Sequence, residues 1–271
     1  MPVEITSRRN DLVRKILCLS GSAACRREEH RFVVEGARLC ADAAVSGAEV
    51  TALLFTERAE EKYAGYLEPV RAAAKAEFRI SPSVASFLSD TKTPQGIFCV
   101  CAIPPETGPF PDASEEKDYL FLENMQDPAN MGAVFRTAEA LGFGGVFLGG
   151  SCCDAFSPKV LRAGMGSVFR LPLFREAQAS AAVRRLNEAG FATLAAVPHP
   201  PAVSVTSLRY SGPSVAVIGN EGSGLTPETC AACSARVSIP MAGRAESLNA
   251  AAAAAILMWE MVRGKAGGGC S

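Results

Sequence analysis

Histidine is nearly missing from this chain: His30 and His199 are the only two in 271 residues. That leaves little material for a metal centre or a Ser-His triad, and no metal site is expected. Charge is also scarce, at 20% Asp, Glu, Lys and Arg with a net charge of −1, so the molecule as a whole does not advertise a polyanionic partner. No apolar run is long enough to cross a membrane. The longest, "LNAAAAAAILMW" at 248–259, is shorter than the roughly 20 residues a span requires and is bracketed by Asn249 and Glu260. The opening "MPVEITSRRN" lacks the apolar stretch of a signal peptide. Cysteine is not scarce, with ten, but Cys230 and Cys233 form a lone C-x-x-C without a second pair at zinc-finger spacing. Reduced thiols in a cytoplasmic protein are expected, with that pair packed as apolar residues.

Two nucleotide-binding fingerprints are absent. No G-x-x-x-x-G-K-[ST] occurs, which excludes a P-loop ATPase. G-x-G-x-x-G fails as well: counting from Gly142 the sixth position is Phe147, and from Gly164 it is Phe169. In "VAVIGNEGSGLTPE" (215–228), Glu221 stands where the second glycine belongs. A carboxylate aimed at a pyrophosphate repels it.

What is present is an apolar chain (48%) long enough for two ordinary domains. "AIPPETGPFPDASEEKD" is rich in Pro, Gly and acids and reads as a linker, giving domains at 1–103 and 118–271 with 104–117 between them. In the first, "DLVRKILCL" and "EKYAGYLEPVRAAAK" have helical period, while "RFVVEG", "VTALLF", "EFRI" and "GIFCVCAI" read as strands, giving a small α/β sandwich. In the second, strands "YLFLEN", "GGVFLGG", "ATLAAV", "SVAVIG" and "ARVSIP" alternate with helices at 129–141, 157–166, 176–189, 227–233 and 245–263. That alternation predicts a parallel sheet covered on both faces. The first 31 residues carry seven Arg and Lys against four acids. Arg8, Arg9, Arg26 and Arg27 within them are candidate RNA-phosphate contacts, although a solvated helix face is the commoner meaning of such a run.

Polar residues concentrate at three strand ends. Asp127-Pro128 opens a helix carrying Arg136 among small apolar residues. Thr226-Pro227 opens another behind the glycine loop, as an N-cap followed by proline at the first helical position. The third stretch, "IPMAGRAESLN", leads into the alanine-rich helix. These stretches, "N-x-G-x-x-x-R-T-A" at 130–138, "I-G-N-E-G-x-G-L" at 218–225 and "I-P-M-x-G-x-x-x-S-L-N" at 239–249, resemble the three motifs of the SpoU/TrmH family of RNA ribose 2′-O-methyltransferases in the SPOUT superfamily. "SPKVLRAGMGSVFRLPL" resembles the segment between the first two motifs. "FVVEGARLC" and "TKTPQGIFCV" resemble the family's appended substrate-binding domain, which is ribosomal-protein-like. Ala250 departs from a frequent valine without touching the chemistry.

The resemblance implies a deep trefoil knot in the C-terminal domain, a homodimer formed through it, S-adenosylmethionine as cofactor, and RNA, with ribosomal RNA the expected target, as substrate. A tRNA enzyme or a non-catalytic assembly protein on the same fold are the alternatives. Carried over by position, Gly219, Asn220, Gly222, Ile239 and Leu248 would bind the cofactor. Arg136, Asn130, Glu221, Ser247 and Asn249 would serve catalysis. The motif-one arginine is cast in the family as a base. A guanidinium with pKa above about 12 holds its proton, so Arg136 is read as a fixed charge that grips a phosphate or stabilises the developing alkoxide. Glu221 is expected to pair with Arg136, within one subunit or across a dimer.

Overall fold

The computed structural model describes residues 2–105, 110–198, 201–208, 210 and 212–266; the middle of the expected linker (106–109) and His199 lie outside the described residues. Contacts divide the chain into two compact units, Met1–Pro105 with Asp154–Arg170, and Glu106–Cys153 with Leu171–Ser271.

The first unit runs β1 (Val3–Ile5), α1 (Asp11–Gly21), α2 (Ala23–Glu29), β2 (Arg31–Glu35), α3 (Ala37–Val45), β3 (Val50–Phe55), α4 (Glu57–Lys62), α5 (Ala64–Ala73), β4 (Glu77–Ile80), α6 (Pro82–Leu88) and β5 (Ile97–Ala102). Its sheet has the order β1-β4-β3-β5-β2, with β5 antiparallel to both neighbours. The stretch read as one helix at 61–75 falls in two helices that meet at Tyr63. Ser22 closes α1 and caps α2, its side chain accepting from Cys25 N at 3.2 Å. This tight joint sets the Cα atoms of Cys18 and Cys25 6.0 Å apart, and the two are disulfide-bonded rather than reduced as expected.

Residues 154–170, which fall between two stretches of the second unit in sequence, pack with the first unit. The ring of Phe156 lies 4.8 Å from that of Phe32. Arg26 departs from the expected phosphate contact. It is 4% exposed, and its Nε donates to Asp154 Oδ2 at 2.6 Å while Nη1 donates to the Leu19 and Ser20 carbonyls at 2.5 and 3.2 Å. An arginine so engaged is structural and unavailable to a phosphate. Arg8, Arg9 and Arg27 remain exposed.

The second unit follows β6 (Tyr119–Glu123), α7 (Pro128–Ala140) and β7 (Gly145–Gly149). After α8 (Pro158–Ala163), which sits in the first unit, come β8 (Leu173–Glu176), α9 (Ala179–Glu188), β9 (Ala192–Ala196), β10 (Val203–Ser204), β11 (Ser214–Ile218), α10 (Pro227–Ala232), β12 (Ala235–Ser238) and α11 (Ala250–Ala266). The sheet is parallel throughout, in the order β10-β12-β9-β11-β6-β7-β8. Five of these strands were anticipated; β8 and β10 are short edge strands with little apolar signal. Every residue of β6, β7 and β11 is buried, as expected for central strands covered on both faces. Phe121 and Phe147 stack with centroids 5.9 Å apart, and Phe147 stacks on Phe174 at 4.6 Å. The last helix begins at Ala250, not 245. Asn249 caps it, its Oδ1 accepting from Ala251 N and Ala252 N at 2.9 and 3.2 Å, which leaves 241–249 as an irregular segment.

Candidate active site

The order in which strands are added reverses between β6 and β11: β7 and β8 lie on one side, β9 and β12 on the other. In parallel α/β sheets the crevice at such a switch point, outside the carboxyl ends of the strands, is where ligands bind. The first motif lies on α7, which follows β6, and the other two lie in the loops after β11 and β12, so distant stretches of chain converge there.

The loop after β11 is rigid by construction. Asn220 and Gly224 exchange backbone hydrogen bonds of 3.0 Å each, and Asn220 Oδ1 accepts from Gly222 N and Ser223 N at 2.9 and 3.0 Å. Gly219 must be glycine, because a Cβ there would meet Gly224 C at 2.2 Å and Leu225 N at 2.3 Å. Behind the loop, Thr226 caps α10 as expected, and Glu123 at the end of β6 fastens it. This carboxylate is 3% exposed and accepts from Thr226 N, Thr226 Oγ1 and Thr229 Oγ1 at 2.8, 2.8 and 2.6 Å.

Glu221 points at the start of α7. Its Oε1 accepts from Asp127 N at 3.0 Å and Asn130 Nδ2 at 3.2 Å, and its Oε2 from Gln126 N at 3.2 Å. The positive end of a helix favours such a carboxylate. Burial is the strongest single influence on its pKa and pushes it up. The N–H groups of Glu221 itself, Asp127 and Gln126, with Asn130, together prevail and hold it below the ordinary carboxylate range. The expected Arg136 pair does not form within this chain. Arg136 is exposed on α7 and bonds to no partner among the described residues.

The motifs are joined by a directed relay. Asn249 Nδ2 donates to Asn130 Oδ1 at 3.0 Å, and Asn130 Nδ2 donates to Glu221. Helix N–H groups at one end only donate and an ionised carboxylate at the other only accepts, so both amide orientations are determined.

Two spaces adjoin at this relay. A cavity of about 400 Å³ is lined by Gly219, Asn220, Gly222, Ile239 and Leu248, together with Val205, Ile218, Leu225, Met241 and Leu257. That volume suits a small-molecule cofactor. Its described lining includes Glu221 and Glu246 but no Lys, Arg or His. Cys230 also lines it, while burial pushes the neighbouring Cys233 thiol up to about 12. Beside it, a more open polar cleft is lined by Gln126, Asp127, Asn130, Glu221, Ser247, Leu248, Asn249 and Ala250. All five expected cofactor residues thus line one space, and four of the five expected catalytic residues line the other. Arg136 lines neither. Glu123, Gln126 and Asp127 were missed as site residues. The signals available were a glutamate closing the otherwise apolar run "YLFLE" and the Asp127-Pro128 helix start. No group of His, Cys, Asp and Glu able to hold a metal ion occurs among the described residues.

A parallel sheet with a cation-free cavity and a polar cleft sharing one wall is an α/β domain with two adjoining ligand-sized spaces. Comparison with known proteins makes this particular. Residues 117–259 match the SpoU rRNA Methylase family and residues 10–99 the MRM3-like substrate binding domain, and the chain belongs to the SpoU rRNA methylase family. It is 30% identical to a 23S rRNA (guanosine(2553)-2'-O)-methyltransferase of Bacillus subtilis, over 87% of this chain and 90% of that one. It is also 30% identical to a 23S rRNA (uridine(2479)-2'-O)-methyltransferase of Streptomyces viridochromogenes, over 97% and 93%. Among solved structures, an AdoMet-bound rRNA methyltransferase from Sinorhizobium meliloti superposes with a TM-score of 0.82 at 30% identity, covering 96% of this chain and 97% of that one.

Proposed function

We propose that this protein transfers a methyl group from S-adenosylmethionine to a ribose 2′-hydroxyl of ribosomal RNA, in the cytoplasm. The observation that carries this is the shared wall: Glu221, Ser247, Leu248 and Ala250 border both the cofactor-sized cavity and the polar cleft. The donor set fits the cofactor. Apolar walls suit an adenine ring, and two carboxylates without a cation suit a sulfonium and disfavour a phosphate. Gly219, Asn220, Gly222, Ile239 and Leu248 would hold it, and when bound it supplies an electrophilic methyl group. Asn130, Ser247 and Asn249 orient the ribose hydroxyl, and the relay to Glu221 fixes the two amides before substrate arrives.

Arg136 requires a second subunit in this reading. It projects from α7 beside α11, whose outer face exposes Ile256 and Trp259, 38% and 55% accessible, at helical spacing. Pairing two such faces gives a homodimer in which the Arg136 of one copy serves the cleft of the other, as a fixed charge on phosphate or alkoxide. A knotted C-terminal chain path, as in the family, is part of the same proposal. Exposed Arg8, Arg9 and Arg27 of the front domain, 1–103, would carry RNA.

The test is incubation of the purified protein with methyl-labelled S-adenosylmethionine and ribosomal RNA, with label mapped by resistance of one linkage to alkali. Transfer to a base or to tRNA alone would overturn the substrate, and calorimetric binding of NAD or ATP in place of S-adenosylmethionine would overturn the chemistry.

A further inference from the structure

Two large aromatic rings of the first unit are exposed, Tyr66 at 46% on α5 and Phe87 on α6, and of these only Phe87 carries a guanidinium over its face. Phe32, Phe55 and Phe98 are at most 1% exposed, whereas Phe87 is 41% exposed. The helix turns Val84, Ala85 and Leu88 into the core and leaves Phe87 on its outer side. Burying that ring was open to the fold only at the expense of Leu88 or Val84, which occupy the inner face. The turn after β1 then brings Arg8 across it, with the guanidinium carbon 5.1 Å from the ring centroid.

The carboxylates that follow or face the end of α6 are engaged by other groups. Asp90, just after α6, is committed to Arg162 at 2.8 Å. Glu35 is occupied by Ser89, Thr91 and the Asp90 N–H. Arg8, Arg9 and Lys92 are exposed and have no carboxylate partner among the described residues. An exposed aromatic face with a stacked guanidinium, with Arg9 next to Arg8 and Lys92 five residues after Phe87 in the chain, is a platform that suits a nucleobase joined to phosphates. Single-stranded nucleic acid is held in that way.

We infer that Phe87 and Arg8 form a stacking site for an unpaired base of the RNA substrate, with Arg9 and Lys92 taking the adjoining phosphates. The inference rests on RNA being the substrate class proposed above. The base lies against the ring or against the guanidinium plane, and the site therefore distinguishes single strands from duplex, whose bases are already stacked.

Fluorescence anisotropy on the full chain tests this, with labelled oligoadenylate as the single-stranded probe and its duplex with oligouridylate as the second probe. Phe87→Ala and Phe87→Leu should each weaken single-strand binding about 10-fold, the scale of losing one base–aromatic stack, and leave duplex binding nearly unchanged. Phe87→Trp should retain the parent affinity. Arg9→Gln should lower both the affinity and its salt dependence, whereas the Phe87 variants should leave the salt dependence as it is. Calorimetric affinity for S-adenosylmethionine should be the same in all four, which establishes that the second unit is intact. Single-strand affinity equal to the parent's in Phe87→Leu, or equal losses on both probes, would overturn the stacking site. Failure of the parent to bind S-adenosylmethionine counts instead against the proposed function, by a separate ligand.

Discussion

Arg26 allows a direct contest between two readings of one residue. Its place in a basic stretch suggests a phosphate contact, whereas the fold encloses it: the side chain is 5% exposed and its partner Asp154 15%. Asp154→Ala removes the only carboxylate partner among the described residues and leaves the guanidinium with the Leu19 and Ser20 carbonyls. Breaking a buried pair from one side costs about 3–5 kcal/mol. Asp154 is partly reached by solvent, so the lower end, about 3 kcal/mol, applies. At roughly 2–4 °C per kcal/mol this lowers the melting temperature by on the order of 10 °C. Arg26→Met should destabilise in the same direction, and Arg26→Met with Asp154→Leu should recover much of the loss, because neither charge is then stranded. Arg27→Ala, at an exposed position, should stay within about 0.5 kcal/mol of the parent. RNA binding measured over a salt series gives the opposite ranking. Arg27→Ala should reduce the slope of log K against log salt by about 0.7–0.9 if it contacts one phosphate, and Arg26→Met should not change it. An Arg26→Met protein that melts with the parent but loses salt dependence would refute the burial argument.

The other predictions concern the second unit. Arg136→Ala should slow single-turnover methyl transfer by on the order of 10²-fold with little change in cofactor affinity. Arg136→Lys should remain slower than the parent at every pH; a lysine variant that overtakes it as pH rises would restore the base role. The Glu221 carboxyl is held below its ordinary value of 4.5 in the fold. Its contribution is therefore complete above that value and is lost as pH falls through the lowered one. Glu221→Gln should flatten this acid limb in a series of thermal melts, and an unchanged limb would remove Glu221 from the linkage. Gly219→Ala should abolish calorimetric binding of S-adenosylmethionine, since its methyl would meet the backbone of Gly224 and Leu225, which cannot swing aside. Retained affinity would show that the loop tolerates opening.

The parts legible in the sequence are those written locally. Apolar runs such as "SVAVI" need burial on both faces and became the central strands; Asp127-Pro128 and Thr226-Pro227 each combine a capping side chain with a preset φ and began α7 and α10. Motif order was also local, and Asn130, Glu221, Ser247 and Asn249 do line one cleft. Partners were not legible. Arg26 meets Asp154 128 residues away, and Glu221 meets Gln126 95 residues away. An arginine in a basic run has the same local pattern whether it faces water or a buried carboxylate, and a glutamate in a glycine loop does not state what it accepts from. Only the packing of 154–170 with the first unit, and the switch point that sets the end of β11 beside the start of α7, decided those pairings, because a buried charge takes whichever donors or acceptors the fold brings within hydrogen-bond distance.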